Sequence, residues 1–76
     1  MQLIDYVQAY NRDVEQAVAI GIAEFIKLNN EAPNVVLVNP GDIGSLNGST
    51  GTMRVVRNEL SRESGNVIVG KLSHLP

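Results

Sequence analysis

Residues 33–46 read Pro-Asn-Val-Val-Leu-Val-Asn-Pro-Gly-Asp-Ile-Gly-Ser-Leu, and how this stretch is parsed decides the fold class. Val35-Val36-Leu37-Val38 is an unbroken apolar run rich in β-branched side chains. With no polar alternate face, it reads as a central strand covered on both sides. Immediately after it, Asn39 is a favoured N-cap and Pro40 suits the first helical position, where its missing N–H would have no partner in any case. Asp42 then faces the positive end of a helix dipole. Asn39, Pro40 and Asp42 therefore form a structural motif that starts a short helix over 40–46, with Ile43 and Leu46 turned toward the sheet.

Upstream, Ile4, Val7, Val14, Val18, Ile22 and Phe25 recur at steps close to the helical period, which predicts one long helix over 3–28. At about 1.5 Å per residue it would be close to 40 Å long, more than a compact chain of this size can span. Its middle, Ala17 to Ala23, is apolar all round, so this segment is expected to be covered on more than one side. Gly21 costs roughly 1 kcal/mol relative to Ala inside a helix, a cost that fits either close approach of another backbone or simple tolerance. Asn29-Asn30 supply left-handed caps, and Pro33 prevents continuation.

Downstream, Asn47-Gly48-Ser49-Thr50-Gly51 reads as a flexible or partner-facing loop. Met53 to Asn58 has two readings. It is either a strand centred on Val55-Val56 or the start of a helix over 53–64, capped by Thr52 and stopped by Gly65. Gly65-Asn66 turns the chain into a strand over 66–70. The expected fold class is α+β, of α/β-like character: one long N-terminal helix packed on a small mixed β-sheet with a short second helix, all in a single domain over 1–76.

The chain has 76 residues, 43% of them hydrophobic and 18% charged, with a formal charge of −2 and no cysteine. It is too apolar to be disordered and too small for a two-domain enzyme with a cleft between its domains. Neither a disulfide scaffold nor a cysteine-ligated zinc is available. The charge balance argues against non-specific nucleic-acid binding. No apolar run approaches the about 20 residues of a membrane span, and the first residues lack the marks of a secretory signal, so a soluble protein is expected.

Catalytic chemistry finds little support. The glycines at 41, 44, 48 and 51 lack phosphate-loop spacing, and no Lys lies between Lys27 and Lys71. His74, the single histidine, sits near the chain end, a poor frame for a triad or metal site. Glu59 and Glu63 alternate with Arg57 and Arg62 as on a solvated, ion-paired surface. Tyr6, Tyr10 and Phe25 all fall on the predicted helix and form no base-stacking platform. No catalytic residue, cofactor, metal or small-molecule substrate is expected. The candidate contact residues are Gly21 and Ile22 on the helix, Asn47 and Gly48 in the loop, and Arg54 and Arg57 beyond it.

The order of a helix, then "PNVVLVNPGDIGSL", then "RVVRNELSRESGNVIVGKL" resembles the later part of the major capsid proteins of tailed bacteriophages, those of the Hong Kong 97-type fold. The matching positions are Pro33, Val35 to Val38, Asn39, Pro40, Asp42, Ile43 and Leu46, followed by Val55-Val56, Ser61 to Gly65 and Val69-Gly70. The likeness covers about residues 15 to 72 and is limited to the axial region of that fold. It implies a structural, non-enzymatic domain, an excised, truncated or miniature form of such a subunit, placed in the virion or the host cytoplasm. Its partners would be copies of itself or other capsid subunits. The rival expectation is a stand-alone regulatory module that dimerises through Ala17 to Ala23.

Overall fold

A computed structural model describes residues 3–73. The elements are β1 (Leu3–Tyr10), α1 (Val14–Asn29), β2 (Val35–Val38), a 3₁₀ helix (Pro40–Ser45), β3 (Arg54–Arg57) and β4 (Asn66–Leu72). The strands form one mixed sheet in the order β1-β4-β2-β3. β4 runs antiparallel to both β1 and β2, while β3 is parallel to β2. The α+β class expected from the sequence is the class observed, with one main helix and a short second helix on a mixed sheet.

The helix expected over 3–28 is corrected in its first third, where residues 3–10 form a strand. A helix of that length does not fit a body measuring 27 × 24 × 20 Å, whereas the 16 residues of α1 span about 24 Å. Local chemistry makes the break. Asn11 Oδ1 accepts from the Asp13 backbone N–H, and Asp13 Oδ1 accepts from the Glu15 N–H, so Asp13 is the N-cap. At the other end Asn30 adopts φ 56° and donates its N–H to the Ile26 carbonyl, the left-handed cap expected at Asn29-Asn30.

Val14, Ala17, Val18 and Phe25 of α1 pack against Val36, Val38, Val67 and Val69, with Val7 and Ala9 of β1 closing the side. Leu46 is buried and Ile43 packs against the same core, as expected for the short helix. That helix is 3₁₀ rather than α and ends at Ser45, with Leu46 as its cap. Such a tight form suits a run of six residues interrupted by glycines. Of the two readings of residues 53–64, the strand is observed, over Arg54–Arg57 only. Val55 and Val56 pair there with Val36 and Leu37, and residues 58–65 follow as an irregular loop with turns at 59–60 and 64–65.

Of two expectations of double coverage, that for the middle of the helix is corrected and that for β2 holds in part. Ala19, Ile20 and Ala23 lie exposed on the outer side of α1. On the sheet face away from α1, Val35 and Leu72 are buried while Leu37, Val56 and Ile68 are half-buried, so β2 is covered on that side at Val35 and only partly at Leu37. Gly21 marks where α1 crosses the sheet. A Cβ built there would lie 2.6 Å from Val69 Cγ2 and 3.5 Å from Ala9 Cβ, so it is a side chain of β4, rather than a backbone, that comes close.

Because valine is stiff about χ1, Val69 cannot move aside cheaply. Gly21→Val is therefore expected to destabilise the chain by about 1–3 kcal/mol through overpacking. Pairing it with Val69→Ala should return part of that loss. Urea denaturation of the single and double variants measures both effects, and additive losses would contradict the contact.

Candidate interaction surfaces

The motif residues Asn39, Pro40 and Asp42 come together and do more than start a helix. Asn39 caps as expected, its Oδ1 accepting from the Gly41 N–H at 2.8 Å, with Pro40 at the first helical position. Its amide group also donates to the Ser61 carbonyl at 3.0 Å. Asp42 is 6% exposed and turns away from its own helix. One carboxylate oxygen accepts from Ser64 Oγ at 2.6 Å and the other from the Gly65 N–H at 2.8 Å. The motif therefore fastens the segment after β2 to the turn that launches β4.

Gly65 is a donor in this clasp. Its φ is +89°, and a Cβ there would overlap the Asn11 carbonyl oxygen; its own carbonyl accepts from the Asn11 N–H at 3.1 Å. A left-handed residue with no room for a side chain has to be glycine. The opposite end of β2 is tied by Asn34, whose N–H donates to the Gly70 carbonyl and whose carbonyl accepts from Arg54. The Asn34 side chain accepts from the Leu72 N–H at 2.8 Å.

The six candidate contact residues do not converge. Gly21 is buried under Val69, and Ile22 is half-buried against the core, so neither offers a contact surface. Asn47 and Gly48 have positive φ in a series of turns closed by Ser49 and Gly51 N–H donors. The Asn47 side chain reaches Glu15 at 3.4 Å, which places this loop beside the start of α1. Arg54 and Arg57 are exposed on the far edge strand, and Arg57 pairs with Glu59 at 3.1 Å. Lys71 pairs with Glu31. His74 lies outside the described residues.

The conspicuous surface is one the sequence reading misplaced. Tyr6 and Tyr10, expected on the helix, lie on β1, each 57% exposed, and share the sheet face away from α1 with Gln8 and Ile68. An open cleft of about 390 Å³ runs from Gln8 and Ile68 to Leu60 and Arg62 in the turns after β3. On α1, Ile20 and Ile26 are also exposed, about 120° apart around the helix and so on its two outer flanks. Among the described residues, no group of three or more His, Asp or Glu is placed to hold a metal ion, and no helix is long and apolar enough to cross a membrane. Searches against protein-family models, curated proteins and solved structures give no match.

Asp42→Ala would leave the buried Gly65 N–H unpartnered and is expected to cost about 3 kcal/mol of stability. Asp42→Asn, which keeps an acceptor, should cost clearly less. Chemical denaturation of both variants checks the ranking, and equal losses would argue against the clasp.

Proposed function

We propose that this chain is a structural, non-enzymatic domain of capsid type that mediates subunit–subunit contacts in a protein shell. The observation that carries the reading is the apolar surface turned outward from both layers. Ile20 and Ile26 face out from the helix, and Tyr6 and Tyr10 from the sheet. Exposed apolar surface on two opposite sides suits a domain seated between neighbours. The likeness of residues 33–46 to the axial region of tailed-phage capsid proteins adds to it, because the strand runs into the Asn-Pro-Gly-Asp segment that begins the short helix, the order that the likeness implies. On this reading the partners are further copies or other shell subunits, the location is the virion or the host cytoplasm, and no cofactor or small-molecule substrate takes part.

A second reading, a stand-alone homodimeric regulatory module, is favoured by the open β1 edge. In the segment Ala17 to Ala23 expected to carry such a dimer, Ala17, Val18, Gly21 and Ile22 pack in the chain's own core, and only Ala19, Ile20 and Ala23 remain exposed for a helix contact.

The shell reading is tested on the protein isolated from its own source, by negative-stain electron microscopy and intact-mass spectrometry. Closed particles are expected, built from a polypeptide heavier than the 8.2 kDa of these residues. Discrete small oligomers of an 8.2 kDa chain would overturn the shell reading and leave the regulatory module.

A further inference from the structure

The two edges of the sheet differ. β3 has four residues, begins and ends with arginine, and is parallel to its only neighbour. Short length and terminal charges are the usual protection of an edge against unwanted pairing. β1 has eight residues, a single charge at Asp5 and no proline. It is rich in β-formers and exposes Ile4, Tyr6 and Tyr10. Nothing described lies beyond it in the sheet.

The direction of its free hydrogen-bonding groups follows from the register. The Asn11 N–H donates to Gly65 across the β1–β4 ladder, and the ladder continues as Tyr10↔Asn66, Ala9↔Val67, Gln8↔Ile68, Val7↔Val69 and Tyr6↔Gly70. In an antiparallel pair successive residues point their N–H and C=O alternately toward and away from the partner. Ala9 and Val7 therefore face β4, as Asn11 does. Tyr6, Gln8 and Tyr10 direct theirs to the vacant edge.

We infer that β1 is a homodimerisation edge that pairs antiparallel with β1 of a second copy about a two-fold axis at Gln8. In this register Tyr6 of each copy opposes Tyr10 of the other, and Gln8 opposes Gln8. All the outward N–H and C=O groups of these three residues find partners. Asp5 opposes Asn11 rather than Asp5, so no like charges meet. The paired segment lies clear of the irregularity between Leu3 and Asp5, where the edge bends. On the face away from α1 the tyrosines become cross-strand aromatic pairs, a favourable contact between antiparallel strands. On the helix side Val7 meets Ala9. The two sheets become one eight-stranded sheet, and the sequence of the edge is its own complement, as a two-fold contact requires. A contact confined to one strand edge is small, so dissociation on the order of 100 µM is expected.

The inference is independent of the shell reading and is tested on the 76-residue chain itself. Light scattering coupled to size-exclusion chromatography should show the mass rising with concentration toward twice 8.2 kDa. Gln8→Pro removes only an N–H that β4 does not use, and proline is tolerated on edge strands; this variant should stay monomeric with an unchanged circular dichroism spectrum. Ile20→Lys, on the outer face of α1, should dimerise as the wild type does. Amide exchange of the wild type is an additional readout if Gln8→Pro fails to fold. The Tyr6, Gln8 and Tyr10 amides should slow at least ~10-fold between dilute and concentrated samples, as expected of amides that become hydrogen-bonded. A monomer at every concentration, a folded Gln8→Pro dimer, loss of the dimer in Ile20→Lys, or exchange at these amides that ignores concentration would each overturn the proposal.

Discussion

The fold depends on a buried carboxylate that works at a distance from its own helix. Asp42 takes the Ser64 hydroxyl with one oxygen and the Gly65 N–H with the other. Asn39, three residues earlier, holds the Ser61 carbonyl. Through Gly65, which also receives the Asn11 N–H, the end of β1, the start of β4 and the segment after β2 meet at one corner. Asn34 does the corresponding work at the other end of β2, where β4 finishes and β3 begins. Side-chain clasps at both ends thus fix the register of the four-residue β2, which has few ladder bonds of its own. Hydrogen bonds to a buried charge are worth about 1.5–3 kcal/mol each, a large share of the stability of a domain this small.

Fixing β4 between β1 and β2 has consequences for the surface. Val67 and Val69 take the helix on one face, and Gly21 lets α1 settle onto Val69. One helix covers one face of a four-stranded sheet and no more. The other face is covered only in part, at Val35 and Leu72, the outer flanks of α1 keep their isoleucines, and β1 is left as a long edge with little charge. These exposures have one cause among the described residues, a single helix packed on a four-stranded sheet. They are the physical content of the proposed role as a contact-making domain.

Much of this was legible in the sequence around residues 33–46. The apolar run gave β2, and the capping logic of Asn39 and Pro40 gave the short helix with Ile43 and Leu46 inward. Asp42 was read for its local dipole, whereas its partners lie 22 and 23 residues away, a distance that spacing rules do not reach. The strand at β1 was hidden because Ile4 and Val7 fall at helical steps from Val14 by coincidence. A signal against the long helix was present: Asp13 with Gln16 three residues later marks a helix start, and Tyr6-Val7-Gln8-Ala9-Tyr10 alternates with the period of a strand. With the tyrosines on a helix, no β1 edge exists to be seen. Gly21 and Ile22 were chosen as contacts because the apolar segment had no assigned cover. Its inner side turned out to be taken by β4.

The claim that the Asp42 clasp governs the fold is tested most directly by native-state amide exchange at Gly65. If the clasp opens only when the whole domain unfolds, the Gly65 amide will be protected to the same free energy as the central amides of Val36 and Val69, and both will fall together with added denaturant. Exchange at Gly65 through a local opening, on the order of 100-fold faster than at Val36 and Val69 and insensitive to denaturant, would contradict it.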